Sequence, residues 1–265
     1  MPLARGVAPI DNPLVEPVTA HPAEEPALEP PALRRSAVHE VHARTAQDEA
    51  QDEAQDEAWR LLRASRFQLA MKRSLDVVVA LLALVLLAPI LLVTSLAILG
   101  TSRGGIFYTQ TRVGRIGRPF TMIKFRTMHH GADALMDEYG AMNELDGPIF
   151  KIRRDPRVTS VGRTIRRFSV DELPQLVNVL RGEMSLVGPR PLVAEEYAEL
   201  TSYESQRLLA TPGLTGIWQV SGRCDVDFDR WMEMDLDYIR DWSLRLDLAV
   251  LLRTIPAVLS TRGSY

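Results

Sequence analysis

The chain has 265 residues, 31 Lys or Arg, 34 Asp or Glu and a net charge of -3, enough length for one sizeable core with appendages rather than two full domains. Residues 1–58 carry 12 acids and 4 arginines, leaving 22 acids and 27 bases in residues 59–265; an acidic tail therefore hides a basic body suited to anionic partners. The single cysteine, Cys224, excludes an internal disulfide framework and a multi-cysteine zinc site, and fits a reducing cytoplasm.

In chain order, the first segment reads as a tail. Pro2, Pro9, Pro13, Pro17, Pro22, Pro26, Pro30 and Pro31 interrupt any helix, and large apolar residues are few. It lacks a cationic start, an apolar stretch and a small-residue cleavage site, so no secretory signal is expected. Residues 46–57 then repeat Ala-Gln-Asp-Glu three times. A four-residue period without an apolar face fits a solvated helix or a disordered stretch, and implies no solenoid.

Next, Trp59, Leu62, Phe67, Leu69 and Met71 interleave with Arg60, Arg63, Arg66 and Lys72, the mixture of a helix lying among anionic headgroups. Residues 77–99 then carry no charge, and as a helix they would reach about 34 Å, enough to cross a hydrocarbon core. Lys72 and Arg73 before the run and Arg103 after it favour a cytoplasmic location for both ends. Pro89, near the middle, removes a backbone hydrogen bond and bends the helix. The expectation is a re-entrant hairpin; a straight span with a tolerated proline is the alternative.

The following body carries strand character in residues 106–110 and 119–128, with a turn at Gly114-Arg115-Ile116-Gly117. Alternation places Met122, Lys124 and Arg126 on one face of the second strand, where the two cations form either a solvated face or a phosphate contact. Arg153, Arg154, Arg157, Arg163 and Arg166 follow, with Asp155 the one acid among them; such crowding needs anions or nearby carboxylates to offset it.

Two carboxylates stand just beyond, in Ser169-Val170-Asp171-Glu172-Leu173-Pro174-Gln175. Ser169 and Glu172 fit a helix capping box, but Pro174 would then fall at the fifth helical position, where it removes a bond. The helix is expected to begin after Asp171 or later and to run through Leu176, Val177 and Leu180. An ionised aspartate among cations is able to attack phosphorus as a nucleophile, with a divalent metal offsetting the phosphate charge. Spacing alone leaves catalysis and capping both open. Arg190, between Pro189 and Pro191, is preorganised for a bidentate phosphate contact. A Gly-punctuated loop from Thr211 ends at Arg223.

Asp225, Asp227 and Asp229 imitate a calcium loop, yet no glycine stands at the sixth position and Leu236 occupies the twelfth, so an EF-hand is rejected. His129 and His130 lack ligand spacing and read as surface residues. Near the C-terminus, Leu244, Leu246, Leu248, Leu251, Leu252, Ile255 and Leu259 recur at helical spacing, as an interfacial or a core helix.

Five motifs in this order resemble the bacterial sugar transferases, the monotopic phosphoglycosyl transferases: Lys72-Arg73-Ser74-Leu75-Asp76; Lys124-Phe125-Arg126-Thr127-Met128; Asp171-Glu172-Leu173-Pro174-Gln175-Leu176; Ser185-Leu186-Val187-Gly188-Pro189-Arg190-Pro191; and Pro212-Gly213-Leu214-Thr215-Gly216. The resemblance covers Lys72 onward and implies an α+β body of short helices and a small sheet, behind a re-entrant membrane helix. The expected division is a disordered tail at 1–58, an interfacial and a membrane helix at 59–103, and a cytoplasmic catalytic domain at 104–265.

The resemblance further implies Mg²⁺, bound at Asp171, and a two-step reaction on the cytoplasmic face of the bacterial inner membrane. Asp171 would attack the β-phosphate of a UDP-sugar and release UMP; undecaprenyl phosphate would then take the phosphosugar, priming exopolysaccharide, capsule or O-antigen synthesis. Glu172 would handle the acceptor proton or assist the metal. Lys124, Arg126, Arg166, Arg190 and Arg223 would handle phosphates. Membrane lipids are expected partners, and a homodimer is compatible with the reading. The competing reading is a membrane-tethered scaffold that binds nucleotide sugars or acidic lipids without chemistry. Nucleic acid is not expected, because stacking aromatics are scarce in the basic segment. One departure is Ala88-Pro89, where the family often has Ser-Pro and the hydroxyl serves a freed carbonyl.

Overall fold

The computed structural model describes residues 65–132, 139, 152, 155–222 and 226–260. The expected tail, the four-residue repeat, the start of the interfacial segment (59–64) and Arg223 lie outside the described residues.

Helix α1 (Arg66–Leu86) starts at a capping box: the Gln68 N–H donates to Ser65 Oγ at 3.2 Å, and the Ser65 N–H donates to Gln68 Oε1 at 2.9 Å. The described part of the interfacial segment and the first half of the uncharged run are therefore one helix. It stops at Leu87, because Pro89 has no N–H for the Val85 carbonyl, and α2 (Ala88–Thr101) leaves at 60°. The Leu87 N–H donates toward both Ala83 and Val85 carbonyls, so the break satisfies its freed oxygen without a serine. Among the described residues no single helix is long and apolar enough to cross a membrane; the bent pair is, by length and composition, when taken together. Leu81, Leu82, Val85 and Leu86 on α1, and Leu92, Val93, Leu96 and Leu99 on α2, are each more than half exposed.

Strands β1 (Phe107–Val113) and β2 (Pro119–Phe125) form an antiparallel hairpin that sets Tyr108 opposite Lys124 and Arg112 opposite Phe120. β1 runs beyond its expected end at Gln110, and β2 stops before its expected end at Met128. The reason for the early stop is competition for the Thr127 carbonyl, which accepts from the Thr159 N–H at 3.0 Å and from its hydroxyl at 3.2 Å. Thr159 also caps α3 (Ser160–Arg167), so the strand's continuation is diverted to seat that helix.

A 3₁₀ turn (Val170–Gln175) and α4 (Leu176–Arg181) follow. Two three-residue strands, β3 (Ser185–Val187) and β4 (Gly213–Thr215), pair in parallel as a second small sheet; β4 lies where the sequence reads as a Gly-punctuated loop. Their backbones meet at glycines: a Cβ on Gly188 would lie 2.3 Å from the Thr211 carbonyl oxygen, and one on Gly213 would lie 2.1 Å from the Gly188 nitrogen. Side chains are excluded there. The remaining helices are α5 (Ala194–Ala198), α6 (Ile217–Ser221), α7 (Phe228–Arg240) and α8 (Leu244–Leu259). Asp227 caps α7, which gives one of the calcium-like aspartates its ordinary structural use.

The main core joins Ala80 of α1 to Leu176, Val179, Leu186, Val187, Tyr238 and Val250, while a second joins Ile98 of α2 to Phe125 and Ile165. The bent helix pair is thus packed on the body by small inner faces. α8 packs one side in the core, with Val250 buried, whereas Leu248, Leu252, Ile255 and Leu259 form an exposed apolar stripe. The result is a mixed α+β body of short helices and two small sheets.

Lys72, Arg73 and Asp76, the charged members of the first motif, are structural ties. Lys72 Nζ donates to the Val187 carbonyl at 3.1 Å and to Asp247 Oδ2 at 2.7 Å. Arg73 donates to the Val179 and Leu180 carbonyls at 2.6 and 2.8 Å, satisfying acceptors at the C-terminal end of α4. Asp76 accepts from the Ser185 hydroxyl at 2.8 Å and the Leu186 N–H at 3.0 Å.

Candidate active site

Ser169 has φ 54 and makes no side-chain capping bond, so the capping box is not formed. The left-handed residue turns the chain sharply after α3, and the 3₁₀ turn tolerates Pro174 while bringing both carboxylates of its first turn against β2.

Glu172 is clamped. Its Oε1 accepts from Lys124 Nζ at 3.2 Å and from Arg190 at 3.0 Å. Side-chain exposure is 18% for Glu172, 16% for Lys124 and 29% for Arg190, so these are largely sheltered, charge-assisted bonds. Burial works against the carboxylate, yet Arg190 and Lys124 overcome it and hold its pKa well below the usual range. Burial lowers the Lys124 pKa against the pull of Glu172, and the charge of Glu172 raises that of Arg190.

Asp171 is different. Its carboxylate accepts no hydrogen bond and joins no ion pair among the described residues. Burial first, and the Glu172 charge second, push its pKa up to about 6, against the opposing fields of Lys124, Arg166 and Arg190. The adjacent acids titrate as a pair: Glu172 holds the negative charge first and Asp171 acquires its own near neutrality.

Arg166 completes the group electrostatically. Its Nε donates to Thr127 Oγ1 at 2.9 Å, burial lowers its pKa, and the charge of Asp171 is the largest influence opposing that shift. Arg126 is not brought to the carboxylates. Although alternation expected it beside Lys124, its guanidinium reaches the Ser102 hydroxyl at 2.9 Å and the Ser102 carbonyl at 3.3 Å, at the end of α2. β2 has ended at Phe125, so strand alternation no longer fixes its direction. Of the crowded arginines, Arg157 pairs with Asp155 at 2.7 Å, and Arg163 is exposed. His129 and His130 are exposed.

Three contributors escaped the sequence reading. Arg112 donates to the Pro191 carbonyl at 3.2 Å and to Gln110 Oε1 at 2.7 Å; burial, then the charge of Arg190, lowers its pKa to about 10. Its signal was the alternation Tyr108, Gln110, Arg112 on β1. Asn178, fully buried, accepts from the Ile123 N–H at 3.1 Å and donates to the Thr121 carbonyl at 2.7 Å. It locks β2 to the helix behind the carboxylates, and its signal was a lone amide in Leu176-Val177-Asn178-Val179-Leu180. Arg207 donates to the Arg190 carbonyl at 2.8 Å while its Nε donates to Asp235 at 3.1 Å. No local pattern marks that pair, which joins residues 28 apart.

Among the described residues no cluster of three His, Cys, Asp or Glu side chains is placed to hold a metal. Mg²⁺ needs none, since it is commonly held by one or two carboxylates, waters and substrate phosphates. Asp171 and the Oε2 of Glu172, both without internal bonds, are donors of the right chemistry.

An acid without a partner among the described residues, beside an acid clamped by cations, suits an enzyme that handles phosphate groups. Residues 67–261 match the bacterial sugar transferase family, and the chain belongs to that family: it is an enzyme, a transferase. It is 44% identical over 198 residues to the exopolysaccharide production protein ExoY of Sinorhizobium fredii, covering 73% of this chain and 88% of the relative. It is 45% identical over 206 residues to the UDP-glucose:undecaprenyl-phosphate glucose-1-phosphate transferase of Caulobacter vibrioides, covering 73% and 72%. Against the undecaprenyl-phosphate galactose phosphotransferase of Salmonella typhimurium it is 41% identical over 208 residues, covering 77% of this chain and 43% of that longer protein.

Proposed function

We propose that this chain transfers a phosphosugar from a UDP-sugar to undecaprenyl phosphate in two steps, as the priming reaction of exopolysaccharide, capsule or O-antigen synthesis. The names of its relatives support the substrates. The observation that supports the chemistry is the contrast within the dyad: Asp171 is sheltered and untied, whereas Glu172 is held by Lys124 and Arg190.

In the first step a carboxylate oxygen of Asp171 bonds to the β-phosphorus, the bond from that phosphorus to the bridging oxygen breaks, and UMP departs with the bond's electrons. In the second, a phosphate oxygen of undecaprenyl phosphate bonds to the same phosphorus and Asp171 leaves as a free carboxylate. Lys124, Arg166 and Arg190 line the phosphate path and offset its charge. Glu172 acts by holding and orienting these cations, because a carboxylate with a strongly lowered pKa is a poor proton acceptor. Mg²⁺, held by Asp171 and Glu172 with the substrate phosphates, would neutralise phosphate charge. Arg126 and Arg223 remain candidate phosphate contacts.

The bent α1–α2 pair, with its exposed apolar faces, enters the membrane from the cytoplasmic side and returns. That placement sets the dyad where a polyprenyl headgroup emerges. UMP release from a panel of UDP-sugars, with Mg²⁺ and polyprenyl phosphate, tests the reaction. Trapped protein carrying the mass of one phosphosugar on Asp171 is the expected intermediate; kinetics that require both substrates bound together, without that adduct, refute it. With Cys224 replaced, single cysteines placed before Lys72 and after Arg103 should both be protected from outside in intact cells, and opposite accessibility would establish a spanning helix.

A further inference from the structure

Leu69, Lys72, Arg73 and Asp76 fall at successive one-face positions of α1, in the two turns just before its uncharged run begins at Val77. They wall a cavity of about 320 Å³, closed on the other side by Arg115, Met184, Leu209 and Trp242. Asp171 and this cavity lie at opposite ends of the segment 170–182, since Gly182, beyond the end of α4, is a lining residue. The cavity is therefore distinct from the dyad.

Its charges are unevenly answered. Lys72 is neutralised by Asp247 at 2.7 Å. Arg73 meets only carbonyl oxygens, those of Val179 and Leu180, and has no carboxylate partner among the described residues. Arg115 adds a second guanidinium, whose Nε donates to the Leu209 carbonyl at 3.1 Å; burial, followed by the charge of Arg118, lowers its pKa to about 10. Three cationic side chains and one acid thus line a space whose remaining wall is mostly apolar, with Ser185, Thr211 and Tyr238 as its polar members. Such a site fits an anionic head with an apolar neck. Its volume suits a headgroup and the first part of a chain, with the rest of the molecule outside.

We infer that this cavity binds the phosphate of one acidic phospholipid, between Arg73 and Arg115, and thereby fixes the depth of α1 at the bilayer boundary. The inference rests on the membrane reading of α1 and α2, because the cavity lies beside the turns at which the uncharged run starts. Guanidinium forks suit a phosphate oxygen pair.

The test uses the full chain in neutral detergent with a photo-crosslinkable phosphatidylglycerol. Adducts should map to the peptides around Leu69, Met184 and Leu209. Unlabelled phosphatidylglycerol should compete at least tenfold better than phosphatidylcholine. Arg115→Gln removes one guanidinium, and Leu209→Trp fills the lumen without changing charge; each should lower adduct yield about tenfold while the protein melts as a folded species. Equal competition by phosphatidylcholine, or full labelling of Leu209→Trp, would overturn the inference. Preferential displacement by polyprenyl phosphate would overturn it too, assigning the cavity to the acceptor. Capture in detergent by a wild type that fails to join vesicles of phosphatidylcholine and phosphatidylglycerol alike would support the site and sink the membrane reading separately.

Discussion

Arg207 and Arg190 are joined by one hydrogen bond, yet their side chains live in opposite circumstances. Arg207 is almost fully buried, has Asp235 as a dedicated partner, and is covered by the Trp231 ring 5.5 Å from its guanidinium carbon. Arg190 is partly open and shares one oxygen of Glu172 with Lys124, beside an aspartate that has no partner among the described residues. Cations outnumber the bonds the two acids offer them. The first arrangement satisfies every charge and forms a frame; the second leaves charge and donors unspent, which is what an incoming diphosphate requires.

Asp171→Asn should break the open region most severely, lowering UMP release by roughly 10⁴-fold, as loss of a nucleophile does. The same variant should be more stable than wild type at neutral pH. A raised carboxyl pKa favours the folded state fully below the ordinary value of 3.8, and that benefit is lost as pH rises through about 6. Wild type therefore carries a cost at pH 7 that asparagine lacks, on the order of 1 kcal/mol after solvent exposure is considered. Urea unfolding at pH 7 and pH 4 should show the difference shrinking at the lower pH.

Asp235→Ala attacks the frame and should do the reverse. Leaving Arg207 buried and unpaired costs about 3–5 kcal/mol, seen as a lowered midpoint of chemical unfolding. A variant with wild-type stability would remove this pair from the frame.

The pH profile sharpens the comparison further. In the proposed reaction Asp171 attacks in its ionised form, so kcat/KM should fall as pH drops below about 6. Glu172→Gln removes the neighbouring negative charge and frees Lys124 and Arg190, so the acid limb should move down by about one unit. A limb that stays in place would assign it to another group. The smallest effect is expected for Arg112→Gln, which loosens the Pro191 carbonyl contact and should raise the KM for the UDP-sugar several-fold, with kcat nearly unchanged.

Much of this contrast was legible before any coordinates. Pro174 argued correctly that Ser169 is no cap, since a proline so deep in a helix lacks a tolerable place; Pro89 marked the bend for the same reason. Lys124 was readable because it lies inside β2, where alternation holds. Arg126, two residues on, was misplaced once the Thr127 carbonyl was claimed by Thr159. β3 and β4 were invisible because three residues carry no periodicity, and their pairing depends on two glycines 25 positions apart. The Arg207–Asp235 pair likewise depends on tertiary contact. Lys72, Arg73 and Asp76 were recognised as a motif, but their partners were not, because the carbonyls of Val179, Leu180 and Val187 leave no trace in side-chain chemistry.

Those three ties have a practical corollary for anyone seeking a detergent-free version of the enzyme. Starting the chain beyond α2 would delete the bonds that steady β3 and α4, and would empty the seat filled by Ala80. Solubilisation should instead keep the helix and repaint its outward leucines and valines with polar residues. The helix with the apolar outer face is also a buttress.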